Sequence, residues 1–428
     1  MFQGGGNIPL LMPVVTELVR RGHEVHVLAG PGIRPNRLPI NEGFIARLAA
    51  SGASYEALPA PQPHPFDAVP PTRGIQFGWA PGELRVIAAT QARTTLWSPF
   101  WAQQVLRRLK DGQPDVLASD FYLFGAMAAG EAAGVPTAAL VHNAFPPDAP
   151  GQPPRGLGFR PPESFIERLK QETWRRAYER IWIRDGLPAH NRARIAVGLK
   201  PLKSPLHQYA ASQRVLVLGS AAFDFDPERA PANVRYVGTP IDDGDVAEDV
   251  WQSPWGAEAE RPLVMVSLST LPQGQAQVMH NILAALGGMQ VRALVTLGPL
   301  RREDFSPASN TVLERFVPHS AILPRVSAMI TQCGLGGLTK ALIQGVPIVC
   351  MPLVGDQPDN AARVTARGAG IRLPVNASAK DIRGALSRVL SEPAYREAAR
   401  DLGSAMRVIR AEEGAAVELE QLAWNERL

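Results

Sequence analysis

The stretch from Phe316 to Gln357, FVPHSAILPRVSAMITQCGLGGLTKALIQGVPIVCMPLVGDQ, decides the fold. Ala328 to Thr331 reads as a buried strand, and the turn after it holds Gly334, Gly336 and Gly337. A helical run follows and is stopped by Gly345-Val346-Pro347, since glycine ends helices and proline cannot continue them. Ile348 to Met351 is a second strand, leading to a polar loop that ends at Asp356-Gln357. Strand, helix and strand in this order make a βαβ unit with parallel strands. A glycine-rich turn that opens a helix presents free backbone N–H groups and the positive end of the helix dipole, which suits a diphosphate.

The same alternation extends outward in both directions. Ile8 to Arg21 has helical apolar spacing, and Glu24 to Leu28 reads as a strand. Asp115 to Ala118 and Thr137 to Val141 are strands around a small-residue helix, Phe124 to Ala133. Arg214 to Leu218, Val234 to Val237, Leu263 to Ser267 and Val291 to Leu297 continue the series. Runs of Val, Leu and Ile without polar alternation belong to strands buried on both faces, hence to parallel sheets covered by helices. The expected architecture is α/β, with two Rossmann-like domains facing a cleft. The acidic, turn-rich segment 241–260 divides the chain into a first domain, 1–240, and a second, 261–405. The end, 406–428, is expected to form a helix that packs back on the first domain. A Rossmann domain starts with a strand, yet only Met1 and Phe2 precede the loop at Gln3-Gly4. The first strand is therefore expected to be missing, with a truncated start and poor expression of the chain as written.

Composition narrows the function. The 428 residues carry 45% hydrophobic and 20% charged side chains, as soluble enzymes do. No run approaches the roughly 20 apolar residues of a membrane span, so no membrane partner is expected. Lys and Arg exceed Asp and Glu by only 44 − 40 = 4, without a basic block, which argues against nucleic acid. Two cysteines, Cys333 and Cys350, exclude a disulfide framework or a CxxC zinc site and make a reducing cytoplasm the default. Proline-rich stretches, 61–83 and 145–162, read as binding walls or lids.

Other motifs carry less. Gly4-Gly5-Gly6-Asn7-Ile8-Pro9 fails the dinucleotide pattern because Pro9 stands where the third glycine belongs. Asp224-Phe225-Asp226 is like a short metal-binding acidic motif, but it precedes Pro227 and reads as a turn, so no metal is expected. No HExxH, GxxxxGK[ST] or GxSxG occurs.

The Phe316–Gln357 string resembles the donor-binding segment of family-1 glycosyltransferases of the two-Rossmann, GT-B type. Arg261-Pro262-Leu263-Val264, Ser267-Leu268-Ser269-Thr270, Val234-Arg235-Tyr236-Val237-Gly238 and Asp359-Asn360-Ala361-Ala362-Arg363-Val364 are similar to the bacterial branch that glycosylates natural products. Pro13 to Val25 resembles that family's opening helix and second strand. The resemblance implies inverting transfer of a sugar from a UDP- or dTDP-linked donor to a hydroxyl of an apolar small molecule, by a monomer or homodimer. It implies no metal and no other cofactor, because the helix terminus stabilises the leaving diphosphate.

It also implies roles. Phe316 would stack on the donor base and His319 would sit on the ribose-facing turn. Gly334 and Gly336 would form the phosphate turn, with the Thr270 hydroxyl nearby. Asp356 and Gln357 would bind the sugar hydroxyls. The family's phosphate-contacting His is Gln332 here, a later Ser or Thr is Gly337, and a Glu of plant members is Lys340. Asn7, after Gly6, takes the place of the catalytic His, and asparagine is no base. Asp120 matches the carboxylate that orients that His. Asp120 is therefore expected to take the acceptor proton, directly or through a water on Asn7, with acidic phenols as favoured acceptors. His142 is the other nearby titratable group, and Trp79, Phe66 and Phe145 are expected aromatic walls for the acceptor. Changes at Asn7, Gln332 and Lys340 also keep a second reading open, a non-catalytic homologue that binds but does not transfer. A nucleotide-sugar epimerase on the same fold would need several acid/base groups in the cleft, which cannot be placed.

Overall fold

Short parallel strands alternate with helices across the residues that the computed structural model describes, 7–30, 42–65, 89, 91–143, 152–239, 254–255, 260–269 and 273–425. In the first half, α1 (Asn7–Arg20), β1 (His26–Ala29), α2 (Glu42–Ala50) and β2 (Ser54–Ala57) come first. They are followed by α3 (Ser98–Gly112), β3 (Leu117–Asp120), α4 (Phe124–Ala133) and β4 (Thr137–Val141). Then come α5 (Phe165–Asp185), α6 (Leu187–Ala196), β5 (Arg214–Val217) and β6 (Val234–Tyr236). β1 pairs with β2, and β3-β4-β5-β6 form a separate parallel sheet. Among the described residues no strand joins β1 to β3.

The second half begins with β7 (Leu263–Ser267), α7 (Ala276–Leu286), β8 (Arg292–Thr296) and β9 (Thr311–Glu314). It continues with β10 (Ala328–Thr331), α8 (Leu335–Ile343), β11 (Ile348–Cys350), α9 (Gln357–Ala366) and β12 (Gly370–Arg372). α10 (Ala379–Ser391), α11 (Pro393–Met406) and α12 (Ala411–Asn425) finish the chain. The six strands lie parallel in the order β12-β11-β10-β7-β8-β9. The chain therefore leaves β7 first to one side and then to the other. The crevice between β7 and β10, at their carboxyl ends, is where such sheets bind ligands.

Burial on both faces follows from the period-two alternation of the strands. Leu263, Met265, Leu294, Met329 and Ile348 face α8 and α11. Val264, Val266, Val295, Ile330 and Val349 face α7 and α10. In the first half, Leu140 and Leu216 pack with Leu10, Leu11 and Val14 of α1 and with Ala415, Leu419 and Leu422 of α12. Val141, Val215 and Val217 pack with Phe121, Phe124 and Trp182 on the other face.

The strand ends differ in detail from those read in the sequence. β3 was expected at Asp115–Ala118 and spans Leu117–Asp120, so Asp120 is the last residue of the strand rather than a residue beyond it. β2, β9 and β12 were not foreseen. Each is three or four residues long and lies at a sheet edge, where part of the strand stays in water and the apolar run is broken. Among the described residues, no helix is long and apolar enough to cross a membrane.

A buried polar cluster supports the turn between β3 and α4. His190 on α6 is fully buried, and its Nε2–H donates to Gln208 Oε1 at 3.1 Å. Arg194 donates to the same oxygen at 2.6 Å and to Glu131 Oε2 at 2.6 Å, while the His190 ring lies 5.6 Å from that of Phe124. Burial, helped by the Arg194 charge, pulls the imidazole from its ordinary 6.5 down to about 4. Folding thus favours the neutral ring. Its contribution is complete above pH 6.5 and is lost as pH falls from 6.5 to about 4, by about 3 kcal/mol at most. Urea-derived stability measured across that window should drop in the native chain and change less in His190→Gln. Equal slopes for both would contradict this account.

Candidate active site

The donor side is built from the carboxyl ends of β7 and β10, which lie in register with Thr331 opposite Ser267. Gly334 precedes α8 without a side-chain cap, so the N–H groups of the first turn of α8 have no acceptor within the helix. Gly336 faces the other half of the molecule: a Cβ placed there would lie 4.0 Å from Leu10 Cδ2 on α1. His319 stands over the same turn. Its Nε2 is 3.4 Å from Ser267 Oγ, and its Cε1 would be 3.5 Å from a Cβ on Gly337. The ring thus borders the position where the resemblance puts a Ser or Thr side chain, at ordinary contact distance from a Cβ there. Gln332 accepts from Thr331 Oγ1 at 2.9 Å, which turns its amide nitrogen away from that hydroxyl. The Phe316 ring is 59% exposed, leaving a face open for stacking. Lys340 lies half-buried on the second turn of α8.

The loop after β11 brings Asp356 and Gln357 to the start of α9. Gln357 Oε1 accepts from Leu353 N at 2.8 Å and Val354 N at 2.9 Å, and its nitrogen donates to Gln273 Oε1 at 3.1 Å. Most of this side chain is therefore spent on holding its own loop. Asp356 Oδ2 accepts from Asn360 Nδ2 at 2.9 Å. Burial raises the Asp356 pKa above the ordinary carboxylate value; the Asn360 bond and the charges of Arg155 and His142 oppose that rise. Asn360 also donates to the Cys333 carbonyl at 2.9 Å. It ties the glycine turn to the aspartate, a role that sequence reasoning missed.

The acceptor side lies at the carboxyl ends of β3 and β4. Asp120 is paired in register with Leu140, so His142, two residues further on and just past the end of β4, comes beside it. Asp120 Oδ2 and His142 Nε2 are 3.2 Å apart. The other carboxylate oxygen accepts from Tyr122 N at 2.9 Å, closing the turn after the strand. α4 begins after Leu123 without a side-chain cap, so Asp120 is not its N-cap. The His142 ring meets the Phe121 ring edge-on at 4.8 Å, and burial pushes the Tyr122 hydroxyl up to about 12.

The two halves are stitched by α9. Arg363 is almost fully buried and contacts Asp224 Oδ1 through Nε at 2.9 Å and Nη2 at 2.5 Å. Nη2 also donates to Gln152 Oε1 at 3.0 Å, and the guanidinium lies 4.6 Å from the Phe225 ring. One turn earlier, Asp359 accepts from Gly156 N at 2.6 Å and Gly158 N at 2.8 Å. Gly158 needs its positive φ of 65° and lacks room for a side chain, since a Cβ would come within 2.5 Å of Pro358 O. Asp224 is thus a structural anion: Phe225 N, Tyr236 OH and Arg363 take its oxygens. Asp226, by contrast, points to solvent with a left-handed backbone, so the two aspartates of the acidic triplet do not converge.

Gly6, Phe66, Trp79, Phe145 and Thr270, and the side chain of Asn7, lie outside the described residues. Asn7 itself is the first residue of α1.

Residues 189–408 match the family model described as "UDP-glucoronosyl and UDP-glucosyl transferase". The chain is 31% identical over 403 residues to 4'-demethylrebeccamycin synthase of Lentzea aerocolonigenes, covering 92% of this chain and 91% of that protein. Among solved structures, CalG4, the calicheamicin glycosyltransferase, superposes with a TM-score of 0.72 at 19% identity, over 98% of this chain and 96% of the other. The glycosyltransferase VinC in complex with dTDP gives 0.66 at 16% identity, over 99% and 98%.

The Arg363–Asp224 contact gives a stability prediction. Removing one partner leaves an unpaired buried charge, which costs about 3–5 kcal/mol. Arg363→Ala should lower the free energy of unfolding by that order in denaturant titrations. A loss below about 0.5 kcal/mol, the scale of a surface substitution, would mean that the pair is not buried in solution.

Proposed function

We propose, for a chain that belongs to the UDP-glucoronosyl and UDP-glucosyl transferase family and is therefore a glycosyltransferase, that it moves a sugar from UDP or dTDP to a hydroxyl of an apolar, natural-product-like acceptor with inversion at the anomeric carbon. One observation carries this reading. The uncapped first turn of α8 faces the first half of the chain, with Gly336 against Leu10, and the buried Asp120–His142 pair lies near enough for the His142 charge to act on Asp356.

In this reading the diphosphate lies on the N–H groups of Leu335, Gly336 and Gly337, which gain most from the charge that develops as the phosphate leaves. Phe316 stacks on the base. His319, beside Ser267, supplies a ring nitrogen near the phosphates where Gln332 has turned to Thr331. The Asp356 carboxylate takes a sugar hydroxyl, and Gln357 shapes the loop that presents it. The acceptor hydroxyl approaches from the first half of the chain, on the face opposite the diphosphate, so a single displacement inverts the centre. The apolar acceptor is supported by the names of the relatives, a rebeccamycin-type synthase and a calicheamicin glycosyltransferase. The dTDP in a solved relative supports a thymidine donor, and the family description a uridine one.

Thermal melts with nucleoside diphosphates test the reading. UDP or dTDP at about 100 times its Kd should add about 2.7 kcal/mol of stability. Asp356→Ala should weaken binding of the intact sugar nucleotide more than binding of the free diphosphate. Equal losses would place Asp356 away from the sugar, and no shift with any nucleotide would contradict the donor site.

A further inference from the structure

We propose that His142 is the general base of the transfer, its Nδ1 taking the acceptor proton while Asp120 holds Nε2. The proposal rests on the transferase reading above and names the group that this reading leaves open. Asn7 stands where the resemblance puts the base, and an amide cannot take a proton at ordinary pH. Asp120 was the sequence-based candidate. Its side chain is 0% exposed, with one oxygen on Tyr122 N and the other against His142. It is a positioning residue.

His142 has the geometry that Asp120 lacks. It lies just past the end of β4, beside the end of β3 and at the carboxyl edge where α/β sheets present reacting groups. Asp120 Oδ2 lies 3.2 Å from Nε2, and neither atom has a hydrogen-bond partner in the resting arrangement; a small turn of the ring would bring Nε2–H onto the carboxylate and leave the Nδ1 lone pair for the acceptor, as an orienting carboxylate does for a catalytic imidazole. The ring is only 7% exposed, so the proton would be taken in a site with little water. Its edge-on contact with Phe121 fixes the plane.

The charges around it fit the role. Asp120 faces Nε2 from β3. Asp356 lies across the cleft on the loop before α9, and the His142 charge acts on its carboxyl. Arg155, from the segment anchored to α9, approaches the Phe121 ring at 6.0 Å, opposing the two carboxylates. Tyr122 and Tyr209 stay protonated because burial raises both hydroxyls. The base thus sits between the acceptor half and the residue that would hold the donor sugar. In the step, the acceptor O–H bond breaks and its proton goes to Nδ1. The oxygen forms the bond to the anomeric carbon, and the diphosphate leaves with the electron pair of the broken C–O bond.

The test uses the full chain, UDP-glucose and dTDP-glucose as donors, and two acceptors, 4-nitrobenzyl alcohol and 4-nitrophenol. The first must lose a proton in the reaction; the second is acidic enough to arrive ionised and needs no base. His142→Gln should lower kcat/KM on the alcohol by at least about 100-fold and on the ionised phenol by less than about 10-fold, with the donor-induced melt shift intact. Asp120→Asn should lower kcat/KM on the alcohol more than on the ionised phenol, with the donor-induced melt shift intact, because it removes the carboxylate that positions the ring. Equal losses on both acceptors, or no loss, would overturn His142 as base while leaving a working transferase. If the native chain transfers sugar to neither acceptor from a donor that shifts its melt, the acceptor reading proposed above falls and this proposal falls with it.

Discussion

Arg363 and Asp224 meet where the two halves of the chain touch, and almost no water reaches either charge. A buried pair of this kind adds little net stability but is expensive to break, so it selects one arrangement of the groups around it. Arg363 lies two turns into α9, whose first residues are Gln357 and Pro358. Asp224 lies in the segment between β5 and β6, strands of the sheet whose β3 ends at Asp120 and whose β4 ends just before His142. Fixing one against the other fixes the distance between the aspartate proposed for the sugar and the imidazole proposed as base. Asp359 adds a second tie through Gly156 and Gly158. Both ties leave the same helix face, so α9 registers the two halves of the cleft.

Around this frame the donor side works with backbone more than with side chains. The residues that the family resemblance makes His, Ser or Thr and Glu are Gln332, Gly337 and Lys340 here. The uncapped first turn of α8 survives all three changes because it is a property of helix geometry. The His319 ring lies against Gly337, so an imidazole from another element borders the turn where the family resemblance puts a Ser or Thr.

The fold was legible because parallel strands buried on both faces leave continuous apolar runs. Thr137–Val141, Leu263–Ser267 and Ala328–Thr331 match the observed strands to the residue. The missed strands, such as Ser54–Ala57 and Thr311–Glu314, carry polar or charged residues toward water and are too short to show a period. Asp120, His142 and Asp356 could be picked from the sequence by their place after strands. Their partners could not. Nothing in the local sequence pairs Asp120 with a histidine 22 positions away; that follows from β3 and β4 lying in register. The Asp224 triplet shows the reverse case, since a motif suggestive of metal chemistry is a structural anchor once Arg363, 139 residues later, is seen beside it. Long-range partners of this kind are set by topology, which local pattern does not encode.

The central claim is that a nucleotide sugar lies on the α8 turn and is attacked from the β3–β4 side. A crystal structure of the chain with UDP or dTDP bound measures this most directly. The account predicts diphosphate oxygens within hydrogen-bond distance of the N–H groups of Leu335 to Gly337, the base against Phe316, and the outer phosphate directed toward Asp356 and His142. A nucleotide bound away from the α8 turn, or with its outer phosphate directed away from the Asp120–His142 pair, would contradict it.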